Sequence, residues 1–199
     1  MKEIRKLDLQ FRAEDNPEEM KIKGYAVVFN SPETYGYTET IDSHALDDAD
    51  MSDVVLRYNH EDTFMVLART RNKSLNLNVD DKGLLMEAKL QDDISQHKDI
   101  FNAIKSGLID KQSFAFTVDE DSYEYDTDTR TILKIGKVYD VSVVDQPFYN
   151  ATDVSLASAN DEFMKRREEL RKQHEEELEK NARLEELRKA KERVLEKLG

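Results

Sequence analysis

Four histidines, abundant serines and carboxylates, and no cysteine set the chemistry open to this chain. Without thiols, thiolate catalysis, disulfides and zinc–thiolate centres are excluded. None of His44, His60, His97 and His174 belongs to an H-E-x-x-H pair, so a zincin is excluded too. His44 follows Ser43 in an acidic turn, where a capping or surface role is the default. His97 falls in a predicted helix and His174 in a charged tail, neither beside an acid or serine of a known motif. His60 is placed differently. It ends the apolar run VVLRY and precedes Glu61 and Asp62, and strand ends project side chains into clefts. Placement alone still fits a structural histidine better than a general base.

Ser113 and Asp140 are the residues that could make His60 catalytic. In Gln112–Ser113–Phe114–Ala115–Phe116 a two-residue period puts the phenylalanines and Gln112 on one face and Ser113, Ala115 and Thr117 on the other. The aromatic face can anchor the strand, leaving the serine among small residues with room for a carbonyl. No G-x-S-x-G elbow surrounds it, which disfavours an α/β-hydrolase. In the run from Lys137 to Val144, Asp140, Ser142 and Val144 share a face. A carboxylate in so apolar a run needs a partner, because an unpaired buried charge is costly. An imidazolium suits it; an exposed acidic strand face is the equal alternative.

These three residues require strands to hold them. Strand-like runs occur at 6–11 (KLDLQF), 22–30, 54–59, 64–69, 74–79, 84–90, 112–118 and 132–144. Asp81–Lys82–Gly83 reads as a hairpin turn. About eight strands suffice to close a barrel and remove exposed edges. The pattern therefore predicts an α+β fold, mainly an antiparallel β-barrel with flanking helices. A short capped turn is predicted from Ser43 to Asp48, and a helix from Asp92–Asp93 to Ser106, stopped by Gly107. The stretch 121–133 reads as an exposed acidic hairpin. It lacks the glycine and glutamate of a calcium loop in register, so neither a metal nor another cofactor is expected.

The chain divides into a globular part, 1–157, and a charged helical arm, 158–199. From Asn160 to Leu198 there is no Gly or Pro; the strong helix formers Glu, Lys, Arg, Leu and Ala dominate, with a thin apolar stripe that includes Leu178, Leu184 and Leu187. A stripe this thin stabilises a lone helix poorly, so a partner, a second copy or the globular part is expected against it. The net charge of −13 is confined to the first 158 residues, since the arm carries 12 basic and 12 acidic side chains. Such a surface repels nucleic acid. No run reaches the roughly 20 apolar residues of a membrane span, and the amino-terminal stretch lacks a signal core.

Five blocks, in order, resemble the tailed-phage prohead (capsid-maturation) serine proteases, which are related in fold to the herpesvirus assemblins. They are GYAVVFNSPE with YTETID, RYNHED, DDKGLLMEAKL, IKSGLID with KQSFAF, and KVYDVSVVDQPFYNAT, together covering about residues 20–157. The chain departs from that pattern in three places. Ala68–Arg69 stands where a Gly-Arg pair is usual, Lys111–Gln112 where a small residue precedes the serine, and Asp140 where the acid is often Glu. The resemblance implies Ser113 as nucleophile, His60 as base, Asp140 as the third member, and backbone amides near Arg69–Arg71 as oxyanion donors. It also implies an enzyme inside the prohead, in the host cytoplasm, that trims the scaffold region of the major capsid protein and itself. The arm would then dock on scaffold or other prohead proteins, or pair with a second copy. A non-catalytic scaffolding protein that keeps the protease fold is the alternative.

Overall fold

The computed structural model describes residues 2–7, 11–13, 19–63, 65–145 and 154–198. Eleven strands are found among them: β1 Lys2–Leu7, β2 Phe11–Ala13, β3 Lys21–Val28, β4 Glu33–Thr34, β5 Thr38–Ile41, β6 Val55–Tyr58, β7 Ala68–Arg69, β8 Leu75–Val79, β9 Gly83–Lys89, β10 Lys111–Glu124 and β11 Thr129–Val144. Two α-helices accompany them, α1 Ser95–Lys105 and α2 Val154–Leu198. The fold is thus mixed α+β with a long carboxy-terminal helix.

Residues 1–159 form one compact unit. Its larger sheet runs β1-β10-β11-β5-β4, with β6 beside the far end of β11 and β7 beside β6. The smaller runs β2-β3-β9-β8. The closed antiparallel barrel expected from the strand count is not found among the described residues. Both sheets are open, and β5 and β6 pair with β11 in parallel rather than antiparallel. β11 is long enough, at 16 residues, to seat β5 and β6 one after the other along one edge while β10 takes the other.

The core joins the two sheets. Ile22, Val27, Leu84 and Met86 of the smaller sheet share one buried cluster with Phe114, Phe116, Ile132, Val138 and Val141 of the larger. Phe114 and Phe116 stack with ring centroids 4.3 Å apart, so the face assigned to them from alternation is the packed one. Helix α1 adds Ile100, Phe101 and Ile104. It starts after Ile94 without a side-chain cap, so Asp92 and Asp93 do not cap it. It ends at Lys105 with Ser106 as its cap, and Gly107, left-handed at a φ of 75°, follows directly. Between Asp42 and Asp48 the chain turns without forming a helix, and Asp42 rather than Ser43 accepts the turn's amide, from His44 at 2.8 Å.

The second unit begins at residue 160, within α2. At 1.5 Å per residue, the 45 residues of α2 extend about 67 Å. Leu178, Leu184 and Leu187 are more than half exposed. No helix among the described residues is long and apolar enough to cross a membrane.

Candidate active site

Three neighbouring strands bring His60, Ser113 and Asp140 together. In the antiparallel ladder between β10 and β11, Ser113 lies opposite Ser142 and Ala115 opposite Asp140. In the parallel ladder on the other side, β6 runs from Val55, opposite Asp140, to Tyr58, opposite Val143. The chain then reverses over Asn59 and His60, both left-handed at φ of 50° and 59°. Glu61 N–H donates to Tyr58 O at 3.0 Å across this reversal. Positive φ at both central residues is the geometry of a type I′ turn. Asparagine and histidine are among the non-glycine residues that enter this region most often, and residues held there concentrate where position matters. Asn59 is tied down further, its N–H donating to Val143 O and its Oδ1 accepting from Asp145 N–H.

The turn lays the imidazole between the serine and the acid. His60 Nε2 lies 2.6 Å from Ser113 Oγ, and Nδ1 lies 2.5 Å from Asp140 Oδ1. Asp140 is almost wholly buried and accepts two more hydrogen bonds. Ser142 Oγ donates to Oδ1 at 3.0 Å and Lys2 Nζ to Oδ2 at 3.1 Å. Burial pushes the Asp140 carboxyl up, but the hydrogen bond and charge of His60, and then Lys2, outweigh it and hold it below the ordinary carboxylate value. An ionised Asp140 fixes the proton of a neutral imidazole on Nδ1 and leaves Nε2 as an acceptor facing the hydroxyl. A hydroxyl, an imidazole and a carboxylate in this order can pass a proton from the hydroxyl to the ring and hold the resulting charge.

Ser142 and Lys2 were not singled out from sequence as site residues. For Ser142 the signal was present, since alternation places it on the face of Asp140. For Lys2 there was none, because it reaches the site only through the pairing of β1 with β10.

The amides proposed as oxyanion donors are partly spent. Arg69 N–H donates to Ser74 Oγ at 2.8 Å and Thr70 N–H to Val54 O at 2.9 Å. The Arg69 guanidinium instead grips Asp53, with Nε and Nη2 at 2.5 and 2.7 Å. The remaining histidines lie elsewhere. His97 is buried and structural, with Nδ1 accepting Gln91 N–H at 3.0 Å and Nε2 at 3.2 Å from Val66 O. His44 is exposed beside Asp47, and His174 lies on α2.

No curated protein and no solved structure matches the chain. A family model does, described as caudovirus prohead serine protease, over residues 7–167. That span contains His60, Ser113 and Asp140 and covers most of the 199 residues. Five ordered sequence blocks, a serine–imidazole–carboxylate cluster and this match converge, and the chain belongs to the caudovirus prohead serine protease family.

Proposed function

We propose that the chain is a capsid-maturation endopeptidase that cleaves the scaffold region of the major capsid protein, and itself, through an acyl-enzyme on Ser113. The observation that carries this reading is the bridging of Ser113 and Asp140 by the two nitrogens of His60. Ser113 Oγ attacks the scissile carbonyl while Nε2 takes its proton. The tetrahedral intermediate collapses by breaking the C–N bond, and the imidazolium returns the proton to the departing amine. Water then repeats the sequence on the ester, with His60 again as base. Asp140 holds the ring in the required tautomer and stabilises the imidazolium, with Ser142 keeping the carboxylate in place.

The test is cleavage of the capsid protein and labelling by a fluorophosphonate probe. Wild-type protein is expected to cut and to take the label on Ser113. Ser113→Ala and His60→Ala should do neither, with unchanged circular dichroism and a loss of about 10⁴-fold or more in kcat. Cleavage retained in Ser113→Ala would overturn the assignment. A folded protein that never cleaves or labels, in wild type and in variants that free Ser113 from the strand covering it alike, would favour the non-catalytic scaffold.

A further inference from the structure

Ser113 is completely buried, although the imidazole beside it keeps 12% of its side-chain surface. The shield is the chain's own amino-terminal strand. β1 forms the edge of the larger sheet and pairs antiparallel with the Lys111–Thr117 stretch of β10, with Lys6 opposite Ser113. It brings a main-chain carbonyl to the nucleophile, as a bound peptide would. Ser113 Oγ donates to Arg5 O at 2.7 Å. One hydroxyl proton cannot serve both that carbonyl and His60 Nε2, so β1 diverts the proton that catalysis needs.

The side chain of Arg5 fills a slot made for a guanidinium. Glu39 accepts from Arg5 Nε through Oε1 and from Nη2 at 2.8 Å through Oε2. The rings of Tyr35 and Phe116 lie 5.4 and 5.8 Å from its central carbon. A two-toothed carboxylate between aromatic rings is the arrangement that distinguishes arginine from other residues. Most of this slot belongs to the rest of the molecule rather than to β1. Arg130 holds Glu39 from behind at 3.1 Å and is itself held by Asp121 at 2.7 Å. β1 also contributes Glu3, to which Arg130 donates at 2.8 and 3.0 Å, so removing β1 leaves the net charge of the cluster unchanged but takes from Glu39 the guanidinium that it holds in two-toothed fashion. The family match begins at Leu7, so nearly all of β1 lies outside it.

We infer that the Lys111–Thr117 edge of β10 is the peptide-docking edge of the enzyme, occupied here by β1 as a latching stand-in. The docked peptide is extended and carries an arginine in the Glu39 slot. Main-chain pairing to the edge supplies affinity and the slot supplies selectivity. The inference rests on Ser113 being the nucleophile for its catalytic meaning, but docking itself is measurable without turnover.

The test uses full-length protein in which Arg5→Glu places a carboxylate against Glu39 and expels β1. Arg5→Ala serves as the milder variant should the first not fold. A fluorescein-labelled peptide of the chain's own sequence, KEIRKL, is titrated by anisotropy. At least about tenfold tighter binding is expected to Arg5→Glu than to wild type, the size of effect that breaking a buried charge pair produces. The same peptide with glutamate in place of its arginine should bind at least about tenfold more weakly. Equal binding to wild type and variants would overturn the latch, and equal binding of both peptides would overturn the arginine slot. Fluorophosphonate labelling of the Arg5 variants is expected to exceed that of wild type. Peptide binding without any labelling would support the docking edge and overturn the catalytic reading instead.

Discussion

Ser113 faces two acceptors with one proton, and in the proposed mechanism the choice between them separates a resting serine from a working one. Asp140 biases the working state by holding His60 in the tautomer that accepts at Nε2. Asp140→Asn keeps the shape but supplies an amide that can force the other tautomer, so kcat for capsid-protein cleavage is expected to fall about 10⁴-fold with little change in KM. Ser142 acts through Asp140. Ser142→Ala removes one hydrogen bond to the carboxylate, and kcat should fall about tenfold, as expected of a lost charge-assisted bond. A solely structural role for Ser142 would lower the melting temperature and leave kcat unchanged.

β10 and β11 carry most of the site, and they show what a sequence can reveal about one. Strict alternation gave the faces of Phe114, Phe116, Asp140 and Ser142 because a strand's period is two regardless of its partner. Alternation cannot say which strand lies alongside. The parallel docking of β6, which delivers His60, and the edge position of β1, which buries Ser113, are long-range pairings with no local signature. TETI, which forms β5, was too short and polar to read as a strand, and a strand count without pairings invited a barrel that the ladders do not close. Gln112 is also a matter of strand environment. It is completely buried, its Nε2 lies 3.3 Å from Met86 Sδ, and its Oε1 has no hydrogen-bond partner among the described residues. Gln112→Met, similar in length and without the stranded acceptor, is expected to stabilise the protein by about 1 kcal/mol in urea unfolding. Gly83 is the opposite case. A Cβ there would sit 2.0 Å from Val27 O, where β9 passes close to β3. Gly83→Ala should destabilise by more than about 2 kcal/mol by the same measurement.

Across the whole molecule, sensitivity to acid is set by the paired buried carboxylates, although they are among the last to take a proton. Burial raises the Glu3 carboxyl, but Arg130 and Arg5 outweigh it and hold it below its ordinary 4.5, as His60 and Lys2 hold Asp140 below 3.8. A depressed folded value means stability that is present above the ordinary value and lost as pH falls through the depressed one. The urea midpoint is therefore expected to fall below pH 4.5, and Glu3→Gln should make that fall shallower. The net charge of −13 works the other way, since protonating surface carboxylates relieves repulsion. At the carboxy-terminal end, α2 presents exposed leucines on an otherwise charged surface, and we propose that it docks on prohead scaffold. Truncation at residue 159 is expected to spare cleavage of a short peptide and to abolish packaging into proheads, measured by the protease content of purified shells. Normal packaging would refute the docking role.

The parallel seating of β6 on β11 also decides when the enzyme comes into being. His60 and Asp140 stand 80 residues apart in sequence, and His60 and Ser113 stand 53 apart. Contacts of that separation form late, because the entropy of closing such loops is spent before they return anything. A chain emerging from the ribosome lacks the Ser113–His60–Asp140 cluster until β11 is in place. On the proposed mechanism, synthesis and incomplete folding are thus proteolytically silent.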